Sequence, residues 1–370
     1  METFFLLALA AMGVDFFRGD PTDDGDQKPA SEDAETGDEP VNLGPIPVIA
    51  NNTAQGTAGA DIFTLVPRQG GVENAEASAG NGNDTLDLFD ETYVNTSPTD
   101  DRTLIGSRIF GGDGDDYLQA FAMSSRIEMD DGQDTVELVF GSLDSAVDLG
   151  GGDDIFSGQG GFGPLTIVTG GTGNDTLGGS FNLYLQGGPG DDTIRFSGEI
   201  EGTTGYATRV NGGEGSDTIA FSGQGITNPS NSALRPEGGP GADLFDLDIS
   251  EGDPAKFYPD YDYDPQDFVQ ADDSLLFEVL RLPDFTPGED MIQVDATASG
   301  EGYDLASARL ETGTDFRGDP ITTLILRYAH AIEPDQETTV VIESGDVDWE
   351  DIIFVGADIP ALVPFTPNGS

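Results

Sequence analysis

The feature that most constrains this fold is a short motif, Gly-x-Asp-x-(apolar), which recurs nine times between residues 59 and 245. The nine aspartates are Asp61, Asp84, Asp116, Asp134, Asp154, Asp175, Asp192, Asp217 and Asp243. Successive aspartates are 23, 32, 18, 20, 21, 17, 25 and 26 residues apart. Repeats of this length are typical of solenoid proteins, in which each repeat is one coil and only stacking buries its apolar face.

Apolar residues flank the motif at two fixed positions. A Phe, Leu, Ile or Val stands two residues after every aspartate, and an Ile, Val or Leu stands seven residues before it in the six central copies. The outer copies have Ala54, Ala77 and Pro236 at that earlier position, as weaker capping repeats often do. Each coil therefore consists of a strand, a glycine turn, a second strand and a variable turn. The sequence predicts an all-β fold, a right-handed parallel β-roll or β-solenoid of about nine coils over residues 47–250.

The rest of the chain divides by composition. Residues 1–17 form a short apolar N-terminal segment that is too short to span a bilayer. Residues 18–46 are acidic and nearly free of large apolar residues, which predicts a disordered linker. Residues 251–370 contain fewer glycines and longer apolar runs, which predict a small C-terminal β domain. The predicted strands there are 275–282, 290–294, 322–328, 338–342 and 352–355.

The charge balance limits the partners that the chain can bind. It has 70 Asp and Glu against 14 Lys and Arg, a formal net charge of -56. Such a chain repels nucleic acid and anionic lipid, so we expect neither a nucleic-acid partner nor a transmembrane span. It has 0 cysteines and 1 histidine, so disulfides and a histidine-rich zinc site are excluded. A cation is the partner that this composition favours.

Five of the nine turns carry the fuller motif Gly-Gly-x-Gly-x-Asp, which suits calcium. Glycine-rich turns can direct several carbonyl oxygens to one side, and the aspartate adds a carboxylate. Calcium takes six to eight such hard oxygen ligands, more than one turn supplies, so each ion would lie between two stacked turns. The candidate ligands are Gly111, Gly112, Asp113, Gly114 and Asp116; Gly170, Gly171, Thr172, Gly173 and Asp175; Gly187, Gly188, Pro189, Gly190 and Asp192; Gly212, Gly213, Glu214, Gly215 and Asp217; Gly238, Gly239, Pro240, Gly241 and Asp243; with Asp134 and Asp154 from two degraded turns.

These turns resemble the nonapeptide of RTX (hemolysin-type) calcium-binding β-rolls. The resemblance implies that carbonyls one and three and the aspartate of one turn bind an ion together with carbonyls two and four and the aspartate of its neighbour. Here only one turn per coil keeps the motif, so we expect a single row of calcium ions. In the degraded turns Thr57, Ala79, Met129, Asp130 and Leu149 replace glycines, and weak or empty sites are expected there.

The stretch 283–296, PDFTPGEDMIQVDA, is similar to the step that follows the roll in serralysin-type RTX proteins. That resemblance implies type I secretion through residues 251–370, and an extracellular or cell-surface location. The sequence thus favours a secreted, non-enzymatic calcium-binding protein, a surface, matrix or adhesion component with calcium-dependent folding. The alternative is a carbohydrate-active enzyme or a polysaccharide-binding module, and it gains if the arginines of the roll line one face. No catalytic residue and no organic cofactor are expected, and the oligomeric state stays open.

Overall fold

The computed structural model of this chain describes residues 41–45, 53–64, 72–88, 103–142, 144–160, 166–180, 183–197, 209–222, 235–248, 275–295, 303–331, 336–356 and 361–363. All of them belong to one compact unit, Pro40–Ser370. The predicted apolar segment 1–17 and most of the predicted linker 18–46 lie outside the described residues. No helix within the described ranges is both long and apolar enough to cross a membrane.

Two parallel sheets form the two walls of the roll. The strands of the first wall are β1 (Val41–Pro45), β3 (Asp61–Thr64), β6 (Thr85–Asp87), β9 (Tyr117–Met123), β11 (Thr135–Ser142), β13 (Ile155–Gly160), β15 (Thr176–Ser180), β17 (Thr193–Ser197), β19 (Thr218–Ser222), β20 (Leu244–Asp248), β22 (Met291–Asp295) and β26 (Ile352–Val355). Two short strands complete a 14-stranded sheet: β7 (Thr103–Ile105) pairs with the C-terminal end of β9, and β4 (Val72–Glu73) pairs with β7.

The second wall has eight strands in chain order, which alternate with those of the first wall. They are β2 (Thr53–Gln55), β5 (Glu76–Asn81), β8 (Arg108–Asp113), β10 (Arg126–Glu128), β12 (Ala146–Gly151), β14 (Thr166–Thr172), β16 (Leu183–Pro189) and β18 (Arg209–Glu214). Because the eight coils from Asp61 to Asp217 each contribute one strand to each wall and neighbouring coils pair in parallel, the predicted all-β parallel solenoid is confirmed.

The core is the space between the two walls. The apolar residue two positions after each aspartate is paired in register with its equivalent in the next coil, as Leu177 is with Ile194 and Ile194 with Ile219. All nine of these side chains are buried, and so are the six predicted on the second wall. Ile109, Ile127, Val147, Val168, Leu185 and Val210 form that second set. Stacking aliphatic on aliphatic along the axis therefore supplies the hydrophobic stabilisation that no single coil could provide.

The turn that leads into the second wall is closed by hydroxyl groups. Ser107, Ser125 and Ser145 are buried, and the Oγ atom of each accepts a backbone N–H at 3.1–3.2 Å from the coil before it. Thr166 continues the series with an Oγ1 that accepts the Ser145 N–H at 3.4 Å. These neutral groups satisfy the backbone without any charge at this edge.

The roll extends beyond the predicted limits at both ends. Val41–Pro45, at the end of the predicted disordered linker, forms β1 and pairs with β3, because the parallel partner satisfies its backbone. At the other end β22 pairs with β20, and β26 pairs with β22. The predicted boundary at residue 250 therefore does not separate the roll sheet from the C-terminal region, which contributes two strands to it.

A five-stranded sheet occupies the rest of the C-terminal region. It contains β21 (Leu275–Leu282), β23 (Tyr303–Thr314), β24 (Pro320–His330), β25 (Gln336–Ile342) and β27 (Ala361–Val363). The five runs predicted from the sequence all coincide with strands of the two sheets. Buried Glu337 accepts two hydrogen bonds from Arg309, at 2.7 and 3.0 Å, which pairs this carboxylate inside an acidic chain. A single 3₁₀ turn, Trp349–Asp351, precedes β26.

Candidate metal centre

The motif aspartates form one continuous row along the turn that leads into the first wall. We call this the aspartate row: the nine predicted aspartates and Asp290, which the repeat pattern Gly288-x-Asp290-x-Ile292 adds at the C-terminal end. Each of the ten side chains is only 1–2% exposed. Burial of ten like-charged groups in one line is costly unless each is hydrogen bonded or neutralised.

From Asp84 to Asp290, one oxygen of each carboxylate is held by the backbone of the preceding coil. The N–H of each aspartate donates to Oδ1 of the next aspartate in the row, at 2.6–2.9 Å, from Asp61 through to Asp290. Nine consecutive bonds of the same kind fix the side-chain rotamers, and they leave the second oxygen, Oδ2, pointing elsewhere.

Eight of the Oδ2 atoms are buried without a hydrogen-bond partner, and these belong to the eight interior aspartates, Asp84 to Asp243. The two ends of the row differ. Asp61 Oδ2 accepts the Thr57 N–H, and Asp290 Oδ2 accepts the Thr286 N–H at 2.7 Å. Asp61 Oδ1, which has no preceding turn in the row to accept from, is also buried without a partner. Nine of the ten aspartates therefore keep one unsatisfied oxygen, and Asp290 has both oxygens hydrogen bonded. Buried polar atoms without a partner are rare in folded proteins and point to a ligand or a proton.

Carbonyl oxygens converge on the same space, as the gap between turns 170–175 and 187–192 illustrates. A methyl group in place of a Gly170 hydrogen would overlap Asp175 Oδ2 and lie 2.7 Å from the Gly187 carbonyl oxygen. Methyl groups on Gly188 and Gly190 would overlap the carbonyl oxygens of Gly171 and Gly173. This gap is therefore lined by oxygen atoms at a spacing that leaves no room for a side chain.

The predicted ligand residues fall into three kinds of position. The first-position glycines Gly111, Gly170, Gly187, Gly212 and Gly238 are buried beside Oδ2 of their own turn. The third-position residues Asp113, Thr172, Pro189, Glu214 and Pro240 have exposed side chains, and each carbonyl accepts an N–H from the preceding turn at 2.7–3.0 Å. The second- and fourth-position glycines Gly112, Gly114, Gly171, Gly173, Gly188, Gly190, Gly213, Gly215, Gly239 and Gly241 all have positive φ.

The degraded turns keep the aspartate but lose space beside it. Ala79, Met129 and Leu149 stand at the first position in the turns of Asp84, Asp134 and Asp154, and all three side chains are buried. A Cβ atom therefore fills the space that the first glycine leaves open in the five full motifs. Asp130 replaces the second glycine and keeps its left-handed backbone, with φ 69.

A second, exposed series of side chains connects the same turns by hydrogen bonds that run in the opposite direction. The Asn174 N–H donates to Asp153 Oδ1, the Asp191 N–H to Asn174 Oδ1 and the Ser216 N–H to Asp191 Oδ1, each at 2.8 Å. Here each coil donates to the coil before it, whereas in the aspartate row each coil donates to the coil after it. The turns are therefore held at a fixed separation from both sides.

The electrostatics of the row favour neutralisation. Burial raises the pKa of Asp134 to about 8, and neighbouring Asp154 and Asp116 add to the effect. Burial also raises the pKa of Asp116, Asp154 and Asp217 to about 7, and that of Asp84, Asp175 and Asp243 to about 6. The pKa of Asp192 moves in the same direction for the same reason. Each carboxylate thus resists ionisation in the folded chain unless a counter-charge is present.

Two aspartates of this centre were not identified from the sequence. The signal for Asp290 was available, since it lies 47 residues after Asp243 in the same Gly-x-Asp-x-(apolar) pattern. Asp284 carries no repeat signal, and only the structure shows that its side chain contacts the turn of Asp243, through the N–H groups of Gly238 and Gly239.

The fold and the site together define a parallel β-solenoid with a buried row of aspartates and converging carbonyl oxygens. Among the described residues, no group of three or more acidic or histidine side chains is placed so that it could hold an ion by itself. An ion in this row would depend on carbonyl oxygens as well as on carboxylates. No protein-family model matches the chain, and no curated protein sequence matches it.

Proposed function

We propose that this protein is a calcium-binding β-roll whose folding depends on calcium. The observation that carries the proposal is the set of eight buried Oδ2 atoms without partners. Hard carboxylate and carbonyl oxygens are the ligands that calcium prefers, and a flexible cage of six to eight of them suits it better than magnesium. When bound, calcium would supply positive charge between the coils, and its binding energy would become folding energy.

The five full turns are the strongest candidate sites. In them Asp116, Asp175, Asp192, Asp217 and Asp243 lie next to a first-position glycine, so carboxylate and carbonyl oxygens share one open space. In the turns of Asp84, Asp134 and Asp154 a buried side chain occupies that space. We therefore expect weaker binding, or a protonated carboxylate, at these three.

A single row of ions follows from the asymmetry of the coil. The turn into the first wall has buried carboxylates, whereas the turn into the second wall has the hydroxyls of Ser107, Ser125, Ser145 and Thr166. A hydroxyl can donate as well as accept, so Ser125 Oγ also donates to the carbonyl oxygens of Leu104 and Met123, at 3.1 and 2.9 Å. That edge is satisfied without a metal.

The proposal includes an extracellular role, as a secreted surface, matrix or adhesion component. Extracellular calcium modules bind at about 10⁻⁴–10⁻³ M, so a chain of this kind would stay unfolded in a calcium-poor cytosol and fold outside. The resemblance of the region after residue 284 to type I-exported proteins supports the same location. No catalysis is assigned, because the sequence has 1 histidine and no nucleophile motif.

The alternative of a carbohydrate-active or polysaccharide-binding groove gains one observation from the arginines. Four of the five described roll arginines share one exposed position on the side of the second wall, eight residues before the motif aspartate: Arg108, Arg126, Arg209 and Arg235. They form two separate pairs, because Ala146, Ile167 and Tyr184 occupy that position in the three coils between them. Arg126 is also paired with Glu128, and Arg235 with Glu343. The four therefore do not form one continuous basic face; Arg195 lies on the first wall, and Arg68 and Arg102 lie outside the described residues.

The central experiment is a calcium titration of the full chain, followed by far-ultraviolet circular dichroism. In excess chelator at pH 8 we expect little β-structure, with a cooperative gain on addition of calcium and a weaker response to magnesium at equal concentration. Full β-structure in chelator, unchanged by calcium, would overturn the proposal. The location is tested separately by fractionation: recovery of the native protein only from the cell interior would contradict secretion.

A further inference from the structure

We propose that Asp284 is a ligand of the last cation site in the aspartate row, in the gap between the turn of Asp243 and that of Asp290. The inference rests on the proposed function and adds a residue that lies outside every copy of the repeated motif. It follows from the way in which the roll ends.

Asp284 takes the place of backbone carbonyls that a further regular coil would provide. In the preceding gap, the N–H groups of Gly212 and Gly213 donate to the carbonyl oxygens of Glu237 and Gly238, at 2.9 and 3.0 Å. In the last gap, the equivalent N–H groups of Gly238 and Gly239 donate to Asp284 Oδ1 and Oδ2, at 3.3 and 2.9 Å. One carboxylate therefore replaces the carbonyls of two residues, one of which is the first-position carbonyl that lines every other full gap.

A second observation points to a ligand in this gap. Asp243 is 2% exposed, and its Oδ2 atom has no hydrogen-bond partner. Asp290 cannot satisfy it, since Asp290 Oδ1 accepts the Asp243 N–H at 2.9 Å and its Oδ2 accepts the Thr286 N–H at 2.7 Å. Asp243 Oδ2 therefore has no partner, although Asp290 is the last aspartate of the row.

The last gap also has more room than the others. A methyl group on Gly241 would overlap the Gly215 carbonyl oxygen of the preceding turn, and the regular gaps all show this close approach. A methyl group on Gly288, the equivalent residue of the next turn, would meet no atom within 4 Å. The carbonyl oxygen of Gly241 thus faces a wider space, in which a cation can keep a water ligand.

Within the described part of the chain, the charge at this end has no counter-ion: no ion pair there involves Asp243, Asp284 or Asp290. The last gap has one carboxylate more than the gap of Asp217, where a neutral carbonyl stands in the place of Asp284. Since calcium affinity rises with the number of charged ligands, this site is expected to be the tightest of the row.

The test compares wild-type protein with Asp284→Asn and with Asp246→Asn as a matched control. Asp246 lies in β20, three residues after Asp243, on the outer face of the wall, where it accepts a hydrogen bond from Gln293. Its substitution removes the same charge without changing the gap. Each full chain is titrated with calcium alone, by calorimetry and by thermal denaturation, and the denaturation is repeated in excess chelator. We expect Asp284→Asn to lose the tightest ion, with binding there weakened at least ~10-fold, while Asp246→Asn binds as wild type does.

The outcomes separate this inference from the proposed function. If wild-type protein binds no calcium, the proposed function itself fails. If wild type binds and Asp284→Asn binds as many ions with the same affinities, Asp284 is no ligand although the function stands. An equal loss of stability with calcium and with chelator would show that Asp284 only caps the glycine N–H groups. If Asp284→Asn does not fold, Asp284→Glu, which keeps the charge but moves it, is titrated instead, and wild-type affinity for every ion would overturn the inference.

Discussion

At the scale of single residues, Asp192 and Asp61 show what an interior position in the row adds. Both are buried to 1% exposure and both belong to the same motif. Each has one oxygen that accepts a backbone N–H and one that has no partner: Asp192 Oδ1 accepts from Asp175, and Asp61 Oδ2 accepts from Thr57. The difference between them is position, because Asp192 has a row aspartate on either side, whereas Asp61 begins the row.

We predict that Asp192→Asn has opposite effects with and without calcium. The amide keeps an oxygen for the Asp175 N–H and gains a donor for the neighbouring carbonyls, so in chelator the variant should be more stable than wild type, by about 1 kcal/mol. With calcium it should be less stable, because a charged ligand is lost. The measurement is the β-structure content of each variant in chelator, by circular dichroism, and its thermal midpoint in calcium.

Asp61→Asn serves as the control for this prediction. Asp61 is the first aspartate of the row and has a neighbouring row aspartate on one side only, so its loss should reduce the calcium response less than the loss of Asp192. If the two substitutions reduced the calcium response equally, an interior position in the row would have no special role.

At the scale of the coil, a glycine in the turn and a glycine in the strand differ in how closely the neighbouring coil approaches them, and this gives a second prediction. Gly171 has φ +115, and a methyl group on it would overlap the Gly150 carbonyl oxygen of the previous coil. A methyl group on Gly178, in β15 of the same coil, would lie at an ordinary contact distance of 3.6 Å from the Phe156 carbonyl oxygen. Gly171→Ala should cost at least about 2 kcal/mol in stability, while Gly178→Ala should change it little or raise it.

The measurement is chemical denaturation in saturating calcium, where both variants can be compared as folded proteins. A Gly171→Ala protein as stable as Gly178→Ala would mean that the turns are not packed at the separation described.

The coil is also the scale at which sequence reasoning succeeds and fails. Glycine spacing and the apolar residue after each aspartate predicted the strands, the register and the inward-facing residues, because stacking repeats the same physical constraint in every coil. Asp284 could not be found in this way, since its role depends on where the chain returns after residues 249–274. The serine edge was missed as well, because a buried hydroxyl and a surface hydroxyl look alike in a sequence.

At the scale of the whole molecule, the charge of -56 and the buried row predict a strong dependence of stability on pH when calcium is absent. The folded-state pKa values lie at about 6 to 8 for seven of the interior aspartates, against roughly 3.9 for an unfolded aspartate. The folded chain therefore binds more protons than the unfolded chain between these values. Its stability is greatest below about pH 4 as far as these groups are concerned, and it is lost as the pH rises through 6 to 8.

We expect the metal-free protein to gain β-structure when the pH is lowered from 8 to 5, and calcium to remove most of that dependence. Circular dichroism across this range, with chelator and with calcium, measures both curves. Metal-free protein that is more stable at pH 8 than at pH 5 would contradict the raised pKa values and the neutralisation that they imply.

Because the hydrogen bonds between turns are the same in every interior coil, the number of coils can change during evolution. The Asp175 N–H donates to Asp192 Oδ1 just as the Asp192 N–H donates to Asp217 Oδ1. Every interior coil therefore presents the same donor to the coil after it and the same acceptor to the coil before it. Removal of the 17 residues from Thr176 to Asp192 would join Asp175 to Thr193 and bring equivalent surfaces together. Duplication of such a segment would insert a layer in the same manner. Deletion or duplication in the gene can therefore shorten or lengthen this protein by whole coils, without a new interface between coils.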